Sequence, residues 1–215
     1  MKPLFENVSP DLAAAIRAAG KKRSYGDGQL VFSEEEVAAY LPVVLSGSVK
    51  MLHYFDTGKE VIIGIFGQGE MFAVPPVFDG GKYPASTISM GDTELLLIER
   101  RSFLDLIRDS DEFAFAVIGW MCNMLREKTS TIQNLATAST DQRVATVLLK
   151  LASRESGDGE KRISLRRHEI AEMAGLTTET TIRVIRKFAA QDLLTIKRGK
   201  VIINSDGRLR EHFRA

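Results

Sequence analysis

Between Ile118 and Ser139 seven residues recur at alternating spacings of three and four: Ile118, Met121, Leu125, Lys128, Ile132, Leu135 and Ser139. A 3.5-residue repeat keeps one narrow stripe on one side of a helix, the seam along which two helices coil around each other. Glycine is rare around it: Gly119 stands alone between Arg101 and Ala152. A helix that packs only on its own domain shows a broader apolar face, and Phe113, Phe115, Val117, Met124 and Ala136 broaden this one. The pattern therefore predicts a long helix that packs on a neighbouring domain and also pairs with its twin. The alternative is packing within one chain alone. Lys128 interrupts the stripe. It reads as a register-fixing polar residue, as a cation for an anionic ligand, or, the preferred reading, as a stem covering apolar surface with its ammonium in water.

The chain before this helix has a different character. Eleven of the 17 glycines lie in the first 91 residues, between short β-rich runs at Leu41–Leu45, Ser48–Tyr54, Glu60–Phe66, Ile88–Met90 and Thr93–Glu99. Short strands with frequent turn signals point to a sandwich or a barrel. Ser9-Pro10-Asp11 reads as a helix start before Leu12–Ala19, with Ser9 as N-cap. The 215 residues allow one large domain or two modest ones. Their 44% hydrophobic and 27% charged content excludes fibrous, low-complexity and wholly disordered chains. Apolar runs such as Leu95-Leu96-Leu97-Ile98 are far short of the roughly 20 residues a membrane span needs. Met1 to Asp11 has no apolar core for a signal peptide, so the cytosol is the expected compartment. The single cysteine, Cys122, excludes an internal disulfide, a multi-cysteine zinc site and a four-cysteine iron–sulfur cluster.

Charge divides the chain too. Residues 141–215 hold 16 Lys/Arg against 10 Asp/Glu, whereas residues 1–140 hold 13 against 18. A basic third on an acidic remainder suggests a nucleic-acid-binding module, the alternative being a solvated charged surface. After a helix over Gln142–Ser153 and a polar loop, Arg154–Lys161, the segment 163–203 decides between them. A short helix, Arg167–Ala174, is broken by Gly175, and Thr177 caps a second helix, Thr178–Ala190. This is the chemistry of a tight helix–turn–helix. Ile170, Met173, Ala174 and Leu176 form the apolar face of its first part, and Ile182, Val184, Ile185 and Phe188 that of its second. Two apolar runs, Leu193–Lys197 and Lys200–Ile203, then flank Arg198-Gly199, the pattern of a hairpin wing. Lys197, Arg198 and Lys200 stand where a wing meets phosphate. Glu179 and Arg183 share a face of the second helix, four residues apart. They read either as an intrahelical ion pair or as base readers, since Arg suits guanine O6 and N7 and Glu accepts from cytosine N4. Arg186 and Lys187 suit phosphates.

On these motifs the whole chain resembles the CRP/FNR family of bacterial transcription regulators. The family's glycine framework stands here as Gly28-Gln29-Leu30-Val31-Phe32, Leu45-Ser46-Gly47-Ser48-Val49, Gly58-Lys59-Glu60 and Gly67-Gln68-Gly69-Glu70-Met71-Phe72. Its DNA-binding half stands as Asp141-Gln142-Arg143-Val144-Ala145 and as Ile170 through Thr180 with Arg183. The resemblance implies an α+β protein: a double-stranded, jelly-roll-like β-roll sensor domain over 1–108, a dimerisation helix over 109–140 and a winged helix–turn–helix over 141–215. It implies a homodimer on a palindromic operator, with RNA polymerase as a further partner. Glu179 and Arg183 match the family's readers of a TGA-type half-site, with Thr178 beside them. Arg166, His168, Thr177, Thr180 and Arg186 match phosphate-contacting positions.

The sensor departs from the cyclic-AMP receptors within the same resemblance. Their ribose-binding Gly-Glu pair aligns with Ala73 and Val74, their phosphate-binding Arg-Ser pair with about Tyr83 and Pro84, and their Thr-Ser pair on the long helix with Lys128 and Thr129. A cyclic nucleotide held in the usual way is not expected, and the effector is left open. Phe72–Phe78 is apolar, which suits a hydrophobic effector, haem or, preferably, core packing alone. Haem would need His53 or Cys122 as axial ligand. His53 reads more simply as a surface or hydrogen-bonded residue, and Cys122 as a small buried one. His168 and His212 lack metal-site spacing, so no metal is expected. No nucleophile–base set or phosphate-cradling glycine loop suggests an enzyme. The alternative function is a ligand-binding or protein-interaction module whose DNA-binding domain no longer serves a specific operator.

Overall fold

A computed structural model of the chain describes residues 4–6, 8–55, 60–153, 159–203 and 206–214. Gly58, Lys59 and the Gly157-Asp158 pair of the polar loop lie outside the described residues, as does the side chain of Leu135. The chain forms two compact units, Met1–Glu127 and Lys128–Ala215.

In the first unit a 3-10 turn, Leu4–Glu6, precedes helix α1 (Pro10–Ala18), whose N-cap Ser9 accepts a hydrogen bond from the Leu12 amide and whose Leu12 and Ile16 are buried. Five antiparallel strands follow: β1 (Gly20–Tyr25), β2 (Leu30–Phe32), β3 (Tyr40–Tyr54), β4 (Glu60–Gly67) and β5 (Ser86–Glu99). Their order is β1-β5-β3-β4, with β2 pairing β5. The runs Leu41–Leu45 and Ser48–Tyr54 are thus one long strand, and Ile88–Met90 and Thr93–Glu99 another. Their register shifts at Val44/Ser46 and again at Ser46/Ser48, the second shift lying opposite Gly91 and Asp92. Gly47 sits at this kink with φ +75°, and a Cβ there would lie 2.4 Å from the Asp92 carbonyl oxygen. Only glycine fits both the left-handed backbone and the close approach. Buried Thr93 stitches the kink: its hydroxyl donates to the Ser48 carbonyl at 2.9 Å and accepts from the Ser48 amide at 3.3 Å. β1, Gly-Lys-Lys-Arg-Ser-Tyr, has no apolar alternation and was not anticipated; its backbone pairing with β5 makes it a strand.

Phe72–Phe78 is core for the most part. Phe72, Val74 and Val77 are fully buried, whereas Phe78 is exposed. Val74–Asp79 is a short helix, α2. After α3 (Arg100–Asp109) comes the long helix α4 (Asp111–Thr137). One face packs on the sheet: Phe113, Val117 and Trp120 are buried and Met124 lies against the same core. Phe115, expected to broaden that face, is 71% exposed, because it falls on the opposite side of the helix. Ala136 is exposed as well. Beside Phe115 the seam residues Ile118, Met121, Leu125 and Ile132 also face outward. Ser139 is not part of that seam. α4 ends at Thr137, and Ser139 caps the next helix, α5 (Thr140–Ala152), with Gln142 completing a capping box. Cys122 is exposed rather than buried.

In the second unit α5 is followed by β6 (Lys161–Ile163), α6 (Arg167–Ala174), α7 (Thr178–Ala190), β7 (Thr195–Lys197), β8 (Lys200–Ile203) and α8 (Asp206–Arg214). The three strands form an antiparallel sheet in the order β6-β8-β7. The molecule is α+β, with an N-terminal β-sheet domain, a long helix and a helix–turn–helix followed by a small sheet. No helix among the described residues is long and apolar enough to cross a membrane.

Candidate nucleic-acid interface

The helix–turn–helix has the boundaries its local chemistry dictates. Gly175 ends α6 in the left-handed region at φ +61°, where its amide caps the helix. Thr177 then starts α7: its hydroxyl oxygen accepts from the Thr180 amide at 3.2 Å and donates to Thr180 Oγ1 at 2.9 Å. Val184, Ile185 and Phe188 bury one face of α7, joined by Thr181, which is fully buried. The periodicity that buries those four leaves Thr178, Glu179, Arg183, Arg186 and Lys187 on the exposed side.

Glu179 and Arg183 share a face and form no ion pair with each other among the described residues. Arg183, Arg186 and Arg198 carry no side-chain hydrogen bond or ion pair among the described residues. Lys187 is engaged, with Nζ 2.5 Å from Asp141 Oδ2. Lys197 is also engaged, 2.7 Å from Glu160 Oε1, with both side chains half-exposed. Exposed pairs of this kind contribute little and are screened by salt. Lys200, named with the wing cations, instead donates to the Ser164 carbonyl at 2.8 Å and braces the sheet. Arg166 and His168 are exposed around the start of α6.

The wing turn is built by two consecutive left-handed residues, Arg198 at φ +49° and Gly199 at φ +77°. That geometry matches the twist of a tight hairpin. It lifts the Arg198 side chain into solvent.

Three supports had no role in the sequence reading. Arg143 Nη2 donates to the Gly175 carbonyl at 2.8 Å. Arg167 Nη2 donates to the Gly199 carbonyl at 3.2 Å, fixing the wing to α6, and burial lowers its pKa from the usual arginine value. Buried Glu169 accepts from the Arg166 amide at 2.8 Å. Arg143 stood within a quoted motif, but spacing alone carries no sign that its partner lies 32 residues away.

The effector residues expected from the resemblance divide between the units. Phe72, Ala73, Val74 and Tyr83 are buried in the first, and Pro84 is exposed there. Lys128 and Thr129 are exposed on α4 in the second. Around Phe72 the interior is filled by rings: Phe32 at 5.9 Å and Phe66 at 5.0 Å from it, and Tyr83 stacked on Phe32 at 3.6 Å. The Tyr83 hydroxyl donates to the Tyr40 carbonyl at 2.8 Å, and burial pushes its pKa up to about 12. His53 Nδ1 lies 2.6 Å from Glu34 Oε1, and its ring meets Phe55 edge-on. Among the described residues no group of three His, Cys, Asp or Glu side chains is placed to hold a metal ion.

Comparison with known proteins accounts for both units. Residues 22–110 match the cyclic nucleotide-binding domain and residues 142–212 the Crp-like helix-turn-helix domain. The chain is 29% identical over 209 residues to the cyclic AMP receptor protein of Thermus thermophilus, covering 97% of this chain and 95% of that one. It is 26% identical over 210 residues to the CRP-like cAMP-activated global transcriptional regulator of Mycobacterium tuberculosis, covering 96% and 94%. The fold is that of FixK2 from Bradyrhizobium japonicum, with a TM-score of 0.81 at 22% identity over 89% of this chain and 96% of that one. Such proteins are regulators and not enzymes. With a cyclic nucleotide-binding domain, a long helix and a Crp-like helix–turn–helix in one chain, the protein belongs to the CRP/FNR family of DNA-binding transcription regulators.

Proposed function

We propose that the chain acts in the cytosol as a homodimer on a palindromic operator with TGA-type half-sites, Glu179 and Arg183 of each protomer reading the G·C-containing core. The observation that carries this is the pair itself: both side chains are exposed on one face near the start of α7, and neither is consumed by the other. Arg183 suits guanine O6 and N7, Glu179 suits cytosine N4, and Thr178 lies beside them. Arg166, His168, Thr177, Thr180, Arg186, Lys197 and Arg198 are the phosphate contacts. The unpaired guanidiniums of Arg186 and Arg198 favour this, as do the amides of the first turn of α7, which no helical carbonyl can satisfy.

The dimer forms through the seven-residue stripe of α4: Ile118, Met121, Leu125, Lys128, Ile132 and Leu135. Ile118, Leu125 and Ile132 are each more than half exposed in the single chain, and an apolar stripe of that length calls for a cover. Paired helices then set the half-site separation at about 34–36 Å. RNA polymerase is the further partner.

The effector is not a cyclic nucleotide held in the usual way. Ala73, Val74, Tyr83 and Pro84 offer neither the arginine nor the carboxylate that such a ligand needs, and rings crowd the interior beside them.

The test is a fluorescence-anisotropy titration of a TTGA-N6-TCAA duplex against a scrambled one at fixed salt, with and without cyclic AMP. Preference for the palindrome without cyclic AMP is expected. No preference under either condition overturns the operator assignment, and binding that requires cyclic AMP overturns the effector assignment.

A further inference from the structure

The sensor sheet carries a cleft of about 360 Å³ along β1. Of the effector residues that the family resemblance assigns, only Tyr83 borders it. One edge is basic, made by the consecutive Lys21, Lys22 and Arg23, and the lining includes the rings of Tyr25, Phe32 and Tyr83. The three cations are not equivalent. Lys21 Nζ is 3.4 Å from Glu99 and Lys22 Nζ is 3.6 Å from Glu94. Arg23 has no carboxylate partner among the described residues, and its guanidinium carbon lies over the Tyr25 ring, 5.2 Å from the centroid.

Tyr25 is the second observation. The residue is 5% exposed, and its hydroxyl is buried without a hydrogen-bond partner. Buried hydroxyls are nearly always paired, and one left alone lowers stability. Burial raises its pKa from the ordinary tyrosine value, and the nearby Arg23 charge opposes the rise without reversing it. At neutral pH the group is therefore a protonated donor. The neighbouring Tyr83 hydroxyl is already committed to the Tyr40 backbone.

We propose that this cleft binds a small planar organic monoanion, its acid group held by Arg23 and, once the Tyr25 ring shifts to open its now inaccessible hydroxyl, by that hydroxyl, with its apolar ring body beside Phe32 and Tyr83. The volume falls in the range of small-molecule pockets and suits one or two fused rings. A single acid group is specified because Glu36 also lines the cleft, held by the Ser33 amide at 3.1 Å, and would repel a second. The site is independent of the operator reading.

The test uses 2-naphthoate and its neutral counterpart 2-naphthalenemethanol as probes, titrated calorimetrically into the full chain at fixed salt. The expected result is one site per chain and a preference for the acid of about tenfold. Arg23→Gln, an exposed position, should remove the preference, and Tyr25→Phe should weaken naphthoate by about the same factor. Arg17→Gln, outside the cleft, should leave binding unchanged. Equal affinity for the two probes, absence of binding at millimolar probe, or unaltered binding by the Arg23 variant would each overturn the proposal. The Arg23 variant keeps the test decisive if Tyr25→Phe does not fold. DNA titrations of the same variants report separately on the operator reading.

Discussion

The guanidinium of Arg143 on α5 donates to the carbonyl of Gly175, 2.8 Å away, at the corner between α6 and α7. It ties the recognition element to the helix that follows the long one. Its Nε is buried without a partner, so the side chain is held by packing and this one bond. Arg143→Met keeps much of the packing and loses the bond. We expect the variant to lose about 1–3 kcal/mol of stability and to bind operator more weakly. Thermal unfolding and DNA titration check both; a wild-type melting profile would show that the bond is dispensable.

Base reading and phosphate contact separate by their response to sequence and salt. Arg183→Ala is expected to cost about 1–3 kcal/mol on the palindrome and to relax discrimination against the scrambled duplex. Arg186→Ala should weaken binding to both duplexes alike and lower the salt slope by about one. Undiminished discrimination by Arg183→Ala would remove that residue from base reading.

Leu125 is 66% exposed in the middle of the α4 stripe. Leu125→Glu places charges against each other across a paired seam. Sedimentation should show the native protein at twice 23.8 kDa and the variant shifted toward the single-chain mass. A variant that sediments like the native protein would place the interface elsewhere.

Gly47→Ala meets two obstacles at once, a left-handed backbone and the Asp92 carbonyl 2.4 Å from the new Cβ. The expected loss is about 2–4 kcal/mol, from left-handed strain plus overpacking. Denaturant unfolding of the first unit measures it. Gly91 at φ +72°, where no atom lies within 4 Å of a Cβ, should lose less on the same substitution.

Burial raises the Tyr83 pKa from 10.0 to about 12. Between these values the unfolded chain has released the proton that the folded chain still holds. Stability is therefore fully present below pH 10 and falls as pH rises toward 12. Tyr83→Phe should flatten that part of the pH–stability curve, measured by urea midpoints. An unchanged slope would assign the alkaline loss to other groups.

The DNA-binding half was legible almost residue by residue. Arg167–Ala174 and Thr178–Ala190 are the helices that Gly175 and the Thr177 cap imply, and the Arg198-Gly199 turn closes the wing as expected. Elsewhere the reading blurred. In the sequence Gly47 reads as a break between strands, because a sequence shows the glycine but not the neighbour it lets through. Ser139 fitted the seven-residue spacing and belongs instead to a cap, where hydroxyl chemistry overrides periodicity.

The sequence by itself determined whatever is settled within four or five residues: caps, turns, the two faces of α7 and the double face of α4. These follow from hydrogen bonds and side-chain directions that a short stretch already contains. Only the tertiary structure decided that polar Lys21-Lys22-Arg23 is a strand, that Arg143 braces Gly175, and that Phe32, Phe66, Phe72 and Tyr83 fill one interior. Most of those outcomes depend on partners 32 to 76 residues away, which burial and backbone pairing bring together and no local spacing encodes.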